Sequence, residues 1–322
     1  MMSTEASSPP SNSTLGRVVG IDAGGTKTMG LLADLEGRVV SKVRGGPANL
    51  RQQGELGVEK VIFQILEDLE LEESPAALAL GIAGAHLEGQ NDLVRRMLRR
   101  LGIRRNVTVV HDAHIALVAG AADGIGIVVA SGTGSIAHGV DGAGTAARSG
   151  GWGYLLGDEG SAFWLGHAAL RLGIRSADGR DRHTSLYRKI CARLELDSAA
   201  DLVAWFYDQD ESRHRVARLA GLVEEAAAEG DGAASDLLDH AASHLARAAE
   251  SVHRQLAFEG DFPVVLSGGT FKACPSLAAR TERSIEIEGA RVVQLDGEPA
   301  EGAVRLALQS LGAQGSNAEE SR

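Results

Sequence analysis

The sequence predicts two α/β halves of one plan, related by internal duplication and meeting along a cleft, with a helical insertion in the second half. Three observations carry that reading. The run Val18 to Thr28 goes from an apolar strand into a glycine turn (Gly24, Gly25) followed by Thr26, Lys27 and Thr28. The run Ile127 to Ser135 repeats the plan, with Gly132, Thr133 and Gly134 in the turn. Through both segments apolar strand-length runs alternate with helical patterns, as in layered folds with a mostly parallel sheet.

Glycine pairs allow tight turns that expose backbone amides, and clustered amides and hydroxyls suit phosphate oxygens. The first turn is not the common phosphate loop, which needs Gly-Lys-Ser/Thr leading into a helix. Nor is it the dinucleotide fingerprint, because no third glycine follows at the required spacing. Taken alone it reads equally well as an ordinary hairpin; the second copy tips the balance toward two facing phosphate hairpins. Gly25-Thr26 corresponds to Gly132-Thr133, and Asp22 falls opposite the apolar Val129. Only the first copy therefore offers a carboxylate, Asp22, able to hold magnesium through its waters.

In order, the first half continues with a strand at Val39 to Val43, a Gly45-Gly46-Pro47 loop leading to Asn49, and a helix from about Gly57 to Asp68. The helix shows Val58, Val61, Ile62, Ile65 and Leu66 at helical spacing. A strand follows at Ala77 to Ile82, a basic-faced helix at Asn91 to Leu101, a strand at Val107 to Val110 ending in His111-Asp112, and a helix at Ala113 to Ala121. From Gly126 the plan repeats. Helices at Glu159 to Leu172, Thr184 to Leu194, Ala199 to Tyr207 and Val216 to Phe258, the last broken at Gly230 and Gly232, form the insertion. Strands at Pro263 to Leu266 and Ala290 to Leu295 and a closing helix at Ala300 to Leu311 complete it. The expected division is 16–120 and 121–299, with the insertion at 159–258 and the closing helix 300–312 packing back on the first half. Residues 1–15 read as a disordered Ser/Pro-rich leader without a signal peptide's features, and 313–322 as a frayed tail.

Composition narrows the function. Lys and Arg total 32 against 43 Asp and Glu, a net charge of −11, which argues against nucleic acid or an anionic membrane as partner. Two cysteines, Cys191 and Cys274, form no metal-ligand frame and suit a reduced, cytoplasmic setting. No apolar stretch approaches the ~20 residues of a membrane helix.

The paired hairpins, the strand end at Asp112, the Gly268-Gly269 turn and above all the segment Gly150-Gly151-Trp152-Gly153-Tyr154-Leu155-Leu156-Gly157-Asp158-Glu159-Gly160-Ser161 resemble the N-acetylglucosamine kinase family. That family belongs to the actin, hexokinase and heat-shock-chaperone ATPase superfamily, and the resemblance spans about residues 16 to 312. It implies two ribonuclease-H-like α/β domains, ATP and Mg²⁺ as cofactors, and transfer of the γ-phosphate to the 6-hydroxyl of N-acetylglucosamine or glucosamine. Gly24, Gly25, Thr26, Lys27, Thr28, Gly132, Thr133 and Gly134 form the candidate phosphate site, with Thr26 and Thr133 as the family's contacts. Gly268 and Gly269 would lie against the adenosine. Asn49, Asp112, Ser135, Gly151, Trp152, Gly153 and Asp158 would hold the sugar, and Asp112 would be the general base. A small-molecule amino sugar is the expected partner, and a homodimer the expected assembly.

Each assignment has a plainer counterpart. Asp112 and Asp158 both precede helices, where aspartate is a favoured N-cap. Trp152 could be core, Asn49 a turn residue, and Lys27 solvated or close to phosphate. His111, His114, His138 and His167 have no spaced partners and read as packing or surface residues. Rival functions are an ATPase that activates 2-hydroxyacyl-CoA dehydratases or benzoyl-CoA reductases, a kinase for another hexosamine such as N-acetylmuramic acid, and a sugar sensor without turnover.

Overall fold

The computed structural model describes residues 16–71, 73–84, 89–207 and 212–319. The leader read at 1–15 lies outside them. The first half opens with β1 (Arg17–Ala23), β2 (Thr28–Asp34) and β3 (Val39–Gly45), then α1 (Leu50–Asp68), β4 (Ala77–Ile82), α2 (Gln90–Arg100), β5 (Val107–His111) and α3 (Asp112–Gly120). The second half starts again with β6 (Gly126–Ser131), β7 (Ser135–Val140) and β8 (Ala146–Gly150). Six helices follow: α4 (Ala162–Ala177), α5 (Leu186–Leu194), α6 (Ala199–Tyr207), α7 (Ser212–Ala217), α8 (Ala220–Ala228) and α9 (Gly232–His253). Then come β9 (Phe262–Ser267), α10 (Gly269–Ala273), α11 (Pro275–Ser284), β10 (Ala290–Gln294) and α12 (Pro299–Glu319).

The duplication is visible strand by strand. The sheets run β3-β2-β1-β4-β5 and β8-β7-β6-β9-β10, so β6 to β10 stand in the places of β1 to β5. In each the first strand pairs antiparallel with the second and parallel with the fourth. Burial explains the sequence texture: β4, covered on both faces, is Ala-Leu-Ala-Leu-Gly-Ile with every residue buried.

One face of the first sheet packs on α1 and α2 through Val58, Ile62, Ile65, Val94, Met97 and Leu98. Its other face meets Ile115 of α3 and Ala300, Ala303, Val304 and Ala307 of α12. Ala113, Ala116 and Leu117 of α3 turn instead to Val128 and Val265 of the second sheet. The helix α3 is thus shared by both sheets, and α12 returns to the first. The two helices approach so closely that a side chain at Gly302 would sit 1.9 Å from the Ile115 carbonyl oxygen. The insertion helices cover the far face of the second sheet with Leu165, Ala169, Leu238, Ala242 and Leu245.

Several boundaries differ from the sequence reading. Helix α1 begins at Leu50, not Gly57, because it is bent at Gly54 (φ 67°), a conformation glycine adopts freely. Strand β8 was not foreseen: Ala-Ala-Arg-Ser-Gly has no apolar alternation, being a partly exposed strand at the edge of its sheet. Helices α10 and α11 were also missed. The helix read from Glu159 starts at Ala162, capped by Ser161, whose hydroxyl accepts from the Trp164 N–H at 3.2 Å. The single helix read from Val216 is α7, α8 and α9. The tail read at 313–322 continues α12 as far as Glu319, since a nucleated helix extends at little further cost.

Candidate active site

The two glycine hairpins meet. The Thr26 and Thr133 hydroxyls are 2.8 Å apart although 107 residues separate them in sequence. The first turn, Gly24 to Lys27, has four residues between the paired Ala23 and Thr28; the second, Gly132 to Gly134, has three between Ser131 and Ser135. Each turn is closed by a backbone bond, Gly24 N–H to Lys27 O at 3.0 Å and Gly132 N–H to Gly134 O at 2.9 Å. The Gly132 carbonyl also accepts from the Ala162 N–H and the Thr270 hydroxyl, which ties the second hairpin to α4 and α10.

Lys27, which stands where the second turn has Gly134, donates to Glu298 Oε2 at 2.8 Å. Burial pushes the Glu298 carboxyl up, but Lys27, Lys42 and Lys272 bring it net below its ordinary value. Glu298 escaped the sequence reading because 271 residues separate the pair and no motif marks it. Thr28 does not line the cleft: its side chain is fully buried and its hydroxyl donates to Gly46 O at 2.8 Å, so it braces the turn from within the first half. The Gly46–Asn49 loop is fixed to the same turn by the Ala48 N–H to Gly24 O bond, and Asn49 Nδ2 lies 3.7 Å from where a Cβ on Gly25 would stand.

Asp22 is the penultimate residue of β1 and Asp112 follows β5, at the same edge of the sheet. Burial, then the nearby Asp112 carboxylate and Glu298, push the Asp22 carboxyl up to about 7, with Lys27 opposing. Burial would raise Asp112 as well, but the His111 imidazole and the Ala113 N–H outweigh it and hold the carboxyl below its ordinary value. His111 Nδ1 lies 2.7 Å from Asp112 Oδ1, and the His111 pKa is raised in return, Asp112 outweighing burial. The Ala113 N–H points at both groups, 3.1 Å from His111 Nδ1 and 2.9 Å from Asp112 Oδ1. With a proton on Nδ1, that nitrogen donates to the carboxylate and the amide is left to Asp112 alone. The helix N-cap is His111 and not Asp112, which occupies the first helical position.

His111 is therefore no mere packing residue, and His114 and His138 also form a pair, Nδ1 to Nε2 at 3.3 Å. Burial and the neighbouring imidazoles lower both, His138 to about 4, so this pair stays neutral near pH 7. Spacing could not reveal it, because α3 and β7 each supply one ring.

In the second half the glycine-rich segment arches over β7. Gly151 (φ 71°) must be glycine: a Cβ would stand 2.8 Å from Ile136 Cδ1. Trp152 is not core; it is 58% exposed, with the Arg148 guanidinium 4.5 Å over its ring. Gly153 (φ 92°) is open on its side-chain side. Asp158 is buried in left-handed backbone (φ 60°), and burial raises its carboxyl against the opposing Arg213 charge and the Ser135 and Gly153 N–H groups. Arg213 Nη2 is 3.3 Å from Asp158 Oδ2. Ser135 is buried, and its hydroxyl donates to the Glu159 carbonyl at 2.7 Å, so its hydroxyl holds the loop. Beyond β9, Gly268 (φ 117°) passes so close to β6 that a Cβ would be 2.1 Å from the Ser131 carbonyl oxygen; Gly269 faces open space.

Taken together, Asp22, Thr26, Lys27, Asn49 and Asp112 come from the first half, and Thr133, Gly134, Asp158, Gly268 and Gly269 from the second. The donor set suits Mg²⁺: two neighbouring carboxylates, one held far above its usual pKa, would be relieved by a hard cation that favours one or two carboxylates plus phosphate oxygens.

A single family model matches residues 19–307, hairpins, insertion and α12 included. The chain belongs to the BadF/BadG/BcrA/BcrD ATPase family. Within reach of this family member are an N-acetylmuramic acid/N-acetylglucosamine kinase of Clostridium acetobutylicum, 35% identical over 78% of this chain and 84% of that protein, and an N-acetyl-D-glucosamine kinase of Dictyostelium discoideum, 31% identical over 91% and 98%. A solved Chromobacterium violaceum structure, assigned as an N-acetylglucosamine kinase, superposes with TM-score 0.73 at 30% identity, over 91% of this chain and 99% of that one. Those relatives agree with the family resemblance noted from the glycine-rich segment. Among the described residues no helix is long and apolar enough to cross a membrane.

Proposed function

We propose that this ATPase-family protein is an amino-sugar kinase that transfers the γ-phosphoryl of ATP to the 6-hydroxyl of N-acetylglucosamine or glucosamine. The observation that carries the reading is the meeting of the two hairpins at Thr26 and Thr133, with Asp112 following β5 at the same sheet edge as Asp22 of the first hairpin's strand. A primary alcohol is a poor nucleophile at neutral pH, so a positioned base must take its proton as the new bond forms. Asp112 takes the proton of the sugar hydroxyl; the sugar oxygen bonds to the γ-phosphorus; the bond from that phosphorus to the β–γ bridging oxygen breaks, and ADP leaves. His111 keeps Asp112 ionised and turns one oxygen toward its own imidazole, leaving the other for the acceptor. Mg²⁺, held at Asp22, would neutralise charge on the phosphates. Asn49, Trp152, Gly153 and Asp158 are read as sugar contacts, and the turn amides with Thr26 and Thr133 as phosphate contacts. Residues 16–120 with α12, and 121–299, are read as two domains whose closure excludes water. The setting is read as cytoplasmic.

The dehydratase-activator reading is the weaker one. Cys274, buried, donates its thiol to the Ala220 carbonyl, and burial pushes it up to about 12, so it is poorly suited to ligate a cluster shared between subunits. ADP release against a panel of hexosamines and plain hexoses, with Mg²⁺ or excess EDTA, tests the proposal. Turnover with N-acetylglucosamine or glucosamine that stops in EDTA is expected; no turnover with any hexosamine would overturn it.

A further inference from the structure

We propose that Arg213 and His214, consecutive residues of α7, bind the terminal phosphates of the nucleotide, so that the helical insertion supplies the cationic third wall of the phosphate site. The inference rests on the nucleotide half of the function proposed above and is independent of which sugar accepts the phosphoryl group.

Helix α7 lies across both hairpins. His214 Nδ1 is 3.5 Å from the Thr26 hydroxyl of the first. Arg213 stands over the second: a Cβ on Gly134 would be 3.2 Å from its Nη2. Its guanidinium is packed 5.3 Å from the Tyr154 ring centre, which fixes the plane of the fork. Asp158 occupies only part of that fork, through Nη2 at 3.3 Å. Arg213 Nε is buried and has no hydrogen-bond partner among the described residues. A buried, charged N–H without an acceptor costs free energy that an anion would recover, and a guanidinium fork matches phosphate oxygens.

Charge balance points the same way. A triphosphate entering this cleft faces Asp22, Asp112 and Asp158, and Lys27 is already engaged with Glu298 at 2.8 Å. The cleft therefore needs positive charge that Lys27 supplies only in part, and α7 brings Arg213 and His214 to the place where the Thr26 and Thr133 hydroxyls meet. Neither residue sits in a recognisable motif; they fall in the mixed-charge run Glu211 to Arg215.

The test is isothermal titration, without sugar, of ADP and of β,γ-imido-ATP, each with Mg²⁺, into the full chain and into Arg213→Met, Arg213→Lys and His214→Ala. The unaltered protein should bind the triphosphate more tightly than ADP. Arg213→Met should lose about tenfold or more in triphosphate affinity, as expected for a hydrogen bond between charged groups, while ADP affinity changes little. Arg213→Lys should recover part of the loss, and His214→Ala should show a smaller loss in the same ratio. An unchanged triphosphate-to-ADP ratio in folded Arg213→Met would overturn the proposal and leave Arg213 as a positioning partner of Asp158. Equal affinity of the unaltered protein for both nucleotides would also overturn it. Should Arg213→Met fail to fold, as judged by circular dichroism, His214→Ala decides, and an unchanged ratio there counts against the proposal. If the expected pattern is seen in a protein that phosphorylates no amino sugar, the inference stands and the proposed acceptor falls.

Discussion

The first and second hairpins share a backbone plan and a hydroxyl pair, and differ in the side chains that could carry charge. The first has Asp22 near the end of its leading strand, carries Lys27 where the second has Gly134, and shares its sheet edge with Asp112. The second has Val129 at the position matching Asp22, and its surroundings are Gly134, the buried Asp158 and the Arg213 and His214 brought in by the insertion. Duplication of the strands thus built two equivalent turns, while the candidate metal carboxylate and the candidate base stayed on one side. On the other side the chain after β8 diverged most: where the first half needs one bent helix before its fourth strand, the second inserts six. Such asymmetry suits a transfer reaction, in which one wall must hold the attacking oxygen and the metal and the other the departing group.

The sharpest way to break this division is Asp112→Asn. Asparagine keeps the size and can still accept from the Ala113 N–H, but cannot take a proton. We expect kcat to fall at least ~10²-fold with folding little changed, since removal of a general base typically has that effect; steady-state kinetics beside thermal melts check it. A folded variant with near-normal kcat would place the base elsewhere. Asp22→Val, which installs the residue type of the second hairpin, should raise the Mg²⁺ concentration needed for half-maximal turnover and lower kcat by about tenfold or more, because the proposed metal carboxylate is lost. In the unaltered protein a proton competes for Asp22 below about pH 7. The affinity for Mg²⁺ should therefore weaken as pH falls from 8 to 6, and this slope should vanish in Asp22→Asn; calorimetry at several pH values measures it.

Two smaller effects refine the comparison. Gly268→Ala should destabilise the second half by about 1–3 kcal/mol, from positive φ and a clash with the Ser131 carbonyl, whereas Gly269→Ala should leave the melting temperature nearly unchanged. Equal melting temperatures would mean that β9 can shift away from β6. His111→Leu removes the group that outweighs burial at Asp112. The carboxyl is depressed now, so activity is lost only well on the acid side; without His111 that acid limb should move to higher pH, with kcat at pH 8 changed least. An unmoved limb in the pH–rate profile would show that His111 only caps α3.

Most of the sheet architecture was readable because buried parallel strands such as Ala77–Ile82 are continuous apolar runs and glycine turns punctuate them. Strand β8 was not, since a partly exposed edge strand carries no apolar signature. At the candidate site, the sequence marks residues next to glycines or at strand ends: Asp22, Thr26, Thr133, Asp112 and Asp158. It does not mark those joined only by topology. His111, His114 and His138 come from three elements, Glu298 reaches Lys27 across nearly the whole chain, and Arg213 arrives on a short helix of the insertion. Thr28 shows the opposite error: a hydroxyl beside a glycine turn can point inward and serve the turn itself.

The return of α12 to the first sheet has a consequence for how the protein is made. On one face of that sheet Val18, Ala77 and Ala79 pack against Ala300, Ala303, Val304 and Ala307, and β1 is notched at Gly20, where a Cβ would stand 2.5 Å from the Val304 nitrogen. As the chain emerges from the ribosome, its first half is complete by residue 120 yet lacks this cover until some 180 further residues have been added. During that interval the apolar face is bare, and the second half, whose larger core cluster lies within residues 127–292 and whose other face packs on the already made α3, has the opportunity to fold first. Native order of assembly would then run opposite to the order of synthesis, and the nascent first half is the species on which chaperones would act.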